Sequence, residues 1–99
     1  MYVVTVNFRI KPPHVALFRA TVLRQAKNSL EREADCTRFD VFMSPDDEHA
    51  VFLLDEYTDR AAFDAHCKTE HFREFSSAVS SWVDEKQVAG WEPLEKLND

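Results

Sequence analysis

Residues 36–58 place the tightest constraint on what this chain can fold into. In "CTRFDVFM", Phe39, Val41 and Met43 alternate with Arg38, Asp40 and Phe42; in "AVFLLDEY", Val51 and Leu53 alternate with Phe52 and Leu54. Successive side chains of an extended strand leave on opposite faces, so alternation of this kind reads as strand. "SPDDEH" between the two runs supplies the proline and aspartates of a reversal, which makes the segment a hairpin. Apolar residues then lie on both faces of the sheet. Helices on one side can cover only one of them, and a large bare apolar patch marks an interface. The pattern predicts a homodimer with two sheets packed face to face. If Phe42, Phe52 and Leu54 are instead scattered surface residues, no partner is needed.

The remaining elements follow from periodicity. Tyr2 to Ile10 alternates and reads as a strand, closed by "KPPH", where proline cannot donate to a ladder but suits a first helical turn. Val15, Phe18, Val22, Ala26 and Leu30 recur at three and four, giving an amphipathic helix that ends near "EREAD". Asp59 is placed to N-cap a short helix carrying Phe63, His66 and Cys67. Thr69 is placed to cap another, with Phe72, Phe75, Val79 and Trp82 on one stripe. A last strand is expected over about Glu85 to Glu92, followed by a polar tail from about residue 93. The order β-α-β-β-α-β, with the second helical segment broken in two, predicts a ferredoxin-like α+β sandwich in a single domain spanning residues 1–99.

Several functions are excluded early. The net charge is −6 and no Lys/Arg run interrupts it, which argues against nucleic acid. No apolar run approaches the roughly 20 residues of a membrane span, and the first residues do not read as a secretory leader, so a cytoplasmic protein is expected. Gly90 is the only glycine, which rules out a Gly-rich phosphate cradle and a G-x-S-x-G elbow. The two cysteines, Cys36 and Cys67, have no metal-like spacing.

The candidate residues each carry two readings. His66 lies beside Phe63 on a face expected to meet the sheet. It is either a core histidine satisfied by Glu56 or Asp40, or an acid/base near neutrality. On one continuous helix His66 and His71 would diverge by about 140°, a poor metal pair, so no metal is expected. Asn7 shares its direction with Val3 and Thr5; it either faces solvent or offers its amide to a ligand. Glu56 either orients His66 or pairs with Arg38 across the hairpin. Cys67, adjacent to His66, reads as a small hydrophobe rather than a nucleophile.

"NSLEREADCTRFDV" and "LLDEYTDRAAFDAHCKTEHFREF" together resemble the antibiotic biosynthesis monooxygenase family. That family's pattern has an Asn in the first helix, a PGC-x-R-[FY]-D-V strand, a [YE]-E-x-[FWY] strand, and D-x-A-x-x-A-H leading to H-F. The likeness runs from Val3 to Trp82 and is nearest to the small quinol monooxygenases and the isomerase of a phosphorylated autoinducer. It departs at Asp35 and Ala34, where the family usually has Gly and often Pro. The haem-degrading branch, which Asn7 matches, carries a histidine where this chain reads "SSAVSS".

The resemblance implies a dimer whose subunits each hold a pocket between sheet and helices, with Asn7, Asn28, Arg38, Asp40, Glu56, His66, His71 and Phe72 at matching positions. It implies oxygenation of a small phenol or quinol by dioxygen without a cofactor. His66 would be the base, Glu56 the residue that holds its tautomer, and Asn7 the group that positions substrate. Asn28, Arg38, Asp40 and His71 would bind it, and Phe42, Phe72 and Phe75 would wall the pocket. An isomerase drawing on Arg38, Lys68 and Arg73 to hold phosphate, and a non-catalytic small-molecule binder, are the competing readings.

Overall fold

The computed structural model describes residues 1–95; the end of the expected polar tail lies outside the described residues. Strand β1 (Tyr2–Ile10) leads through a 3-10 turn at Pro12–His14 into helix α1 (Val15–Arg32). The hairpin β2 (Cys36–Met43) and β3 (Ala50–Tyr57) follows, then helices α2 (Arg60–His66) and α3 (Glu70–Val79). A second 3-10 turn, Ser80–Trp82, leads into β4 (Val83–Trp91). The sheet is four-stranded in the order β2-β3-β1-β4, with every pair antiparallel, which is the ferredoxin-like arrangement.

Two boundaries differ from the sequence expectation. Trp82 sits in the 3-10 turn rather than on α3, and β4 begins at Val83, about two residues early. Tightening to 3-10 geometry is a common way for a helix end to satisfy its last carbonyls. The expected caps are both formed. The Asp59 carboxylate accepts from the Ala62 amide at 2.8 Å, and the Thr69 hydroxyl accepts from the Phe72 amide at 3.2 Å.

One face of the sheet is packed under α1 and α3. Val4 and Ile10 from β1, Phe18 and Val22 from α1, and Tyr57 from β3 are essentially sealed from solvent. Phe18 meets Phe8 edge-on at 5.0 Å between ring centroids. A register shift between Cys36 and Arg38 inserts Thr37 into β2. Such a bulge lets residues three apart face the same way, so Cys36 and Phe39 are both buried while Arg38 turns outward. The preceding turn at Ala34–Asp35 needs no glycine, since no described residue has positive φ. The Asp35 carbonyl there accepts from the Thr58 amide at 2.9 Å.

The opposite face carries cross-strand rows. Phe42 stands beside Phe52, which stands beside Asn7; Asp40 stands beside Leu54 and Thr5; Arg38 stands beside Glu56 and Val3. Phe42 is 47% exposed and its ring lies 6.0 Å from that of Phe52. No described helix is long and apolar enough to cross a membrane. Removing the α2 and α3 caps, as Asp59→Ala and Thr69→Ala, should each lower stability by about 1 kcal/mol in urea denaturation without changing its slope.

Candidate active site

A cavity of about 220 Å³ lies between the helices and the buried face of the sheet. Its walls are mostly apolar: Val4, Val6 and Phe8 from β1, Phe39 and Leu53 from the hairpin, and Phe63, Phe72 and Phe75 from the helices. Lys86 and Val88, on the thinly covered strand β4, complete it. The polar groups among its walls are few, and Gln25, Asp55 and His66 are the most deeply buried of them, each 3% exposed.

His66 ends α2 and is held from several sides. The Phe63 ring stacks on it at 6.1 Å, Phe72 meets it edge-on at 5.0 Å, and Tyr57 lies 5.3 Å away. Its Nδ1 lies 2.8 Å from Oε2 of Glu33. A carboxylate only accepts, so Nδ1 donates, and the network assigns the free lone pair to Nε2. Burial lowers the His66 pKa below its ordinary value, against the opposing pull of Glu33. The imidazole is therefore neutral at pH 7 and able to accept a proton.

Glu33 also lies 2.8 Å from Nε2 of His71, so one carboxylate joins both imidazoles. His66 and His71 converge because the helix is not continuous. The break at Cys67–Thr69 between α2 and α3 cancels the 140° divergence expected of an unbroken helix. Nδ1 of His71 lies 3.3 Å from the side-chain oxygen of Gln25, whose own Nε2 has no partner. Glu33, His66 and His71 each offer one ligand atom, all within 4.8 Å of one another. They are the residues that could hold a metal ion, contrary to the expectation from spacing; His66 Nδ1 donates to the Glu33 carboxylate, whereas Nε2 of His71, equally close to it, makes no aligned hydrogen bond.

Other expected site residues lie elsewhere. Asn7 is exposed on the uncovered face of the sheet, in the row with Phe52 and Gln87, and does not line the cavity. Glu56 shares that face and lies 3.7 Å from Arg38, which also pairs with Asp40. The tautomer-holding role expected of Glu56 is thus geometrically taken by Glu33. Phe42 lies on the uncovered face as well, so it walls no part of this cavity. Arg38, Lys68 and Arg73 do not line the cavity, and no phosphate-binding cluster forms there among the described residues. Phe72 and Phe75 do line it, while Asn28 and His71 border a separate recess of about 180 Å³ with Arg24 and Glu74. Burial raises the Cys67 thiol, and Cys36 is pushed up to about 11, so neither is a ready thiolate.

Asp55, and not its neighbour Glu56, points inward. Its cross-strand neighbours are Phe39 and Val4, and its Oδ2 accepts from the Tyr57 hydroxyl at 2.6 Å. Burial pushes its pKa up to about 7, only partly opposed by the Tyr57 hydrogen bond. Its Oδ1 has no partner. Parity could have revealed it, since Val51, Leu53, Asp55 and Tyr57 alternate on one face.

The family model for antibiotic biosynthesis monooxygenase matches residues 1–78. With the buried histidine site and the first three strands in the matched region, the chain belongs to the antibiotic biosynthesis monooxygenase family. A solved Nitrosomonas europaea protein, provisionally named as a member, is 27% identical, with a TM-score of 0.89 over 96% of this chain and all of that one. A crystal structure described as an antibiotic biosynthesis monooxygenase is 24% identical, with a TM-score of 0.88, 96% of this chain covered and all of the other. The Rv0793 protein of Mycobacterium tuberculosis is 21% identical, with a TM-score of 0.88 over 98% of each chain. The last two likenesses concern the fold alone. No curated protein matches in sequence. The family model classes the chain with monooxygenases.

The raised Asp55 has a consequence for stability. The folded protein holds this proton more tightly than the unfolded chain, whose carboxyl ionises near 3.8. Unfolding therefore releases a proton between pH 4 and 7, and stability is lost as the pH rises through that window, by at most on the order of 4 kcal/mol. The lowered His66 acts oppositely, its contribution falling away as the pH drops below 6.5. Asp55→Asn removes only the first effect. The melting temperature of the variant, relative to wild type, should rise steadily between pH 4 and pH 8; a constant difference would contradict a raised Asp55.

Proposed function

We propose that this protein is a cofactor-independent monooxygenase that oxidises a small electron-rich phenol or quinol with dioxygen, His66 serving as general base. The observation that carries this reading is the His66–Glu33 pair beside an apolar cavity. Glu33 fixes the ring and its tautomer, leaving Nε2 as the nitrogen available to a guest. A volume of 220 Å³ falls below the roughly 300–1,000 Å³ of pockets for drug-sized ligands, which favours a one- or two-ring compound.

Phenols ionise near pKa 10, so a base within hydrogen-bond reach raises the reactive phenolate fraction at neutral pH. The substrate hydroxyl passes its proton to Nε2, and Nδ1–H remains on Glu33, which stabilises the resulting imidazolium. The electron-rich anion reduces dioxygen. One oxygen atom enters the ring, and the other leaves as water with two electrons and two protons drawn from the substrate. A hydroquinone and dioxygen thus yield a hydroxyquinone and water, in balance. The aromatic walls position the ring and exclude bulk water.

The second part of the proposal is a homodimer formed through the uncovered sheet face. Val3, Phe42, Phe52 and Leu54 form an apolar patch there, and Arg38 is already neutralised by Asp40 and Glu56. Sedimentation at micromolar concentration should give a dimer that Phe42→Asp converts to monomer; a wild-type monomer would contradict this interface.

Oxygen uptake with a panel of hydroquinones tests the chemistry. His66→Gln should slow turnover by roughly 10²-fold, the usual scale for losing a general base. Glu33→Gln should reduce kcat less severely while leaving the fold intact by circular dichroism. Quinol conversion without dioxygen uptake, or an unaltered rate in His66→Gln, would overturn the assignment.

A further inference from the structure

The mechanism above leaves one buried titratable group in the cavity unused. Asp55 reaches it from β3, sealed from bulk solvent and set between Phe39 and Val4. Its Oδ2 is satisfied by the Tyr57 hydroxyl, whereas Oδ1 has no partner among the described residues. Native proteins seldom leave such an atom unpaired, and an explanation is owed for each that is. Gln25 Nε2 is the other unpartnered atom among the cavity-lining residues, and its amide oxygen lies 3.3 Å from Nδ1 of His71, which ties that side chain to α3.

The groups facing Asp55 settle its state. Tyr57 donates to it from its own strand, and Cys36 flanks that tyrosine from β2. Glu33, at the end of α1, is a like charge that favours the protonated form. His66 and Cys67 from α2 and Lys86 from β4 share the cavity, Lys86 at its exposed rim. With burial dominating, the carboxyl is neutral below about pH 7. Oδ2 is occupied as an acceptor, so the proton sits on Oδ1, the atom left without a protein partner. A neutral acid held this way is a hydrogen-bond donor.

We propose that Asp55 is the second polar anchor of the cavity, donating a hydrogen bond from Oδ1 to an acceptor oxygen of the ring compound whose hydroxyl meets His66. The site then selects rings bearing two oxygen functions, an ionisable hydroxyl and a second oxygen, over simple phenols. This rests on the reading of His66 as the hydroxyl-binding group and narrows its substrate class. No bond is broken at Asp55 and no electron moves through it. A site built to hydrogen-bond a substrate oxygen rejects an analogue lacking it more strongly than an apolar wall can, because its own polar group is then stranded.

Two inert probes test the selection without any turnover: 4-hydroxybenzaldehyde, with a hydroxyl and a carbonyl, and 4-methylphenol, with the hydroxyl alone. At pH 6 wild type should bind the aldehyde about tenfold tighter by calorimetry, the scale of one good hydrogen bond. Asp55→Leu should abolish the preference, while Asp55→Asn, which keeps a donor, should retain part of it. Equal affinities in wild type, or an undiminished preference in Asp55→Leu, would overturn the proposal.

Infrared difference spectra of the wild-type protein give a second, independent reading. A protonated carboxyl C=O band, identified by its loss in Asp55→Asn, should shift when the aldehyde is added and not when 4-methylphenol is. A band indifferent to the aldehyde would equally overturn the proposal. Failure of oxygen uptake with these binding results intact would remove the monooxygenase reading and leave the Asp55 anchor standing.

Discussion

The carboxylate of Glu33 is the interaction on which the site depends. It stands where α1 gives way to the β2 turn, and it gathers an imidazole from the end of α2 and another from the first turn of α3. Three segments distant in sequence are thereby fixed to one point beneath the sheet. A charge so nearly enclosed is costly unless paired and hydrogen-bonded, and here the buried His66 ring donates to it while the His71 ring lies against it. The same pairing sets the tautomer of His66 and aims its basic nitrogen. In the proposed reaction, structural need and chemical use coincide in one group.

Around that point the cavity is apolar by construction. The inward rows of the sheet and the phenylalanines of the helices leave little water to compete with a proton transfer. They also push the neighbouring ionisable groups apart in character: the histidine toward its neutral base form, the aspartic acid toward its neutral donor form. Environments that drive titratable groups in opposite directions are how one small site obtains a proton acceptor and a hydrogen-bond donor at the same pH.

Much of the fold was legible in the sequence. Alternation marked the strands, three-and-four spacing marked α1 and α3, and Asp59 and Thr69 announced the caps that the structure forms. The site was harder to read. Asn7 and Glu56 were expected beside His66, yet alternation says only which residues share a face, not which face the helices will cover. In β3 both parities are apolar through Leu53 and Leu54, so Asp55 and Glu56 looked equally placed to turn inward. Glu33 was missed because it belongs to a helix end, where periodicity stops and nothing in the local pattern announces a buried acid. The convergence of His66 and His71 was missed for a related reason. Helical geometry was extrapolated through Cys67–Thr69, where the chain breaks and re-aims.

That break has a mechanical side. Because α2 and α3 are short pieces gripped by one distant acid, neither is free to drift independently of the other. A loosening at the break between them would draw an imidazole away from Glu33, so the segment works as a clasp that holds both rings together.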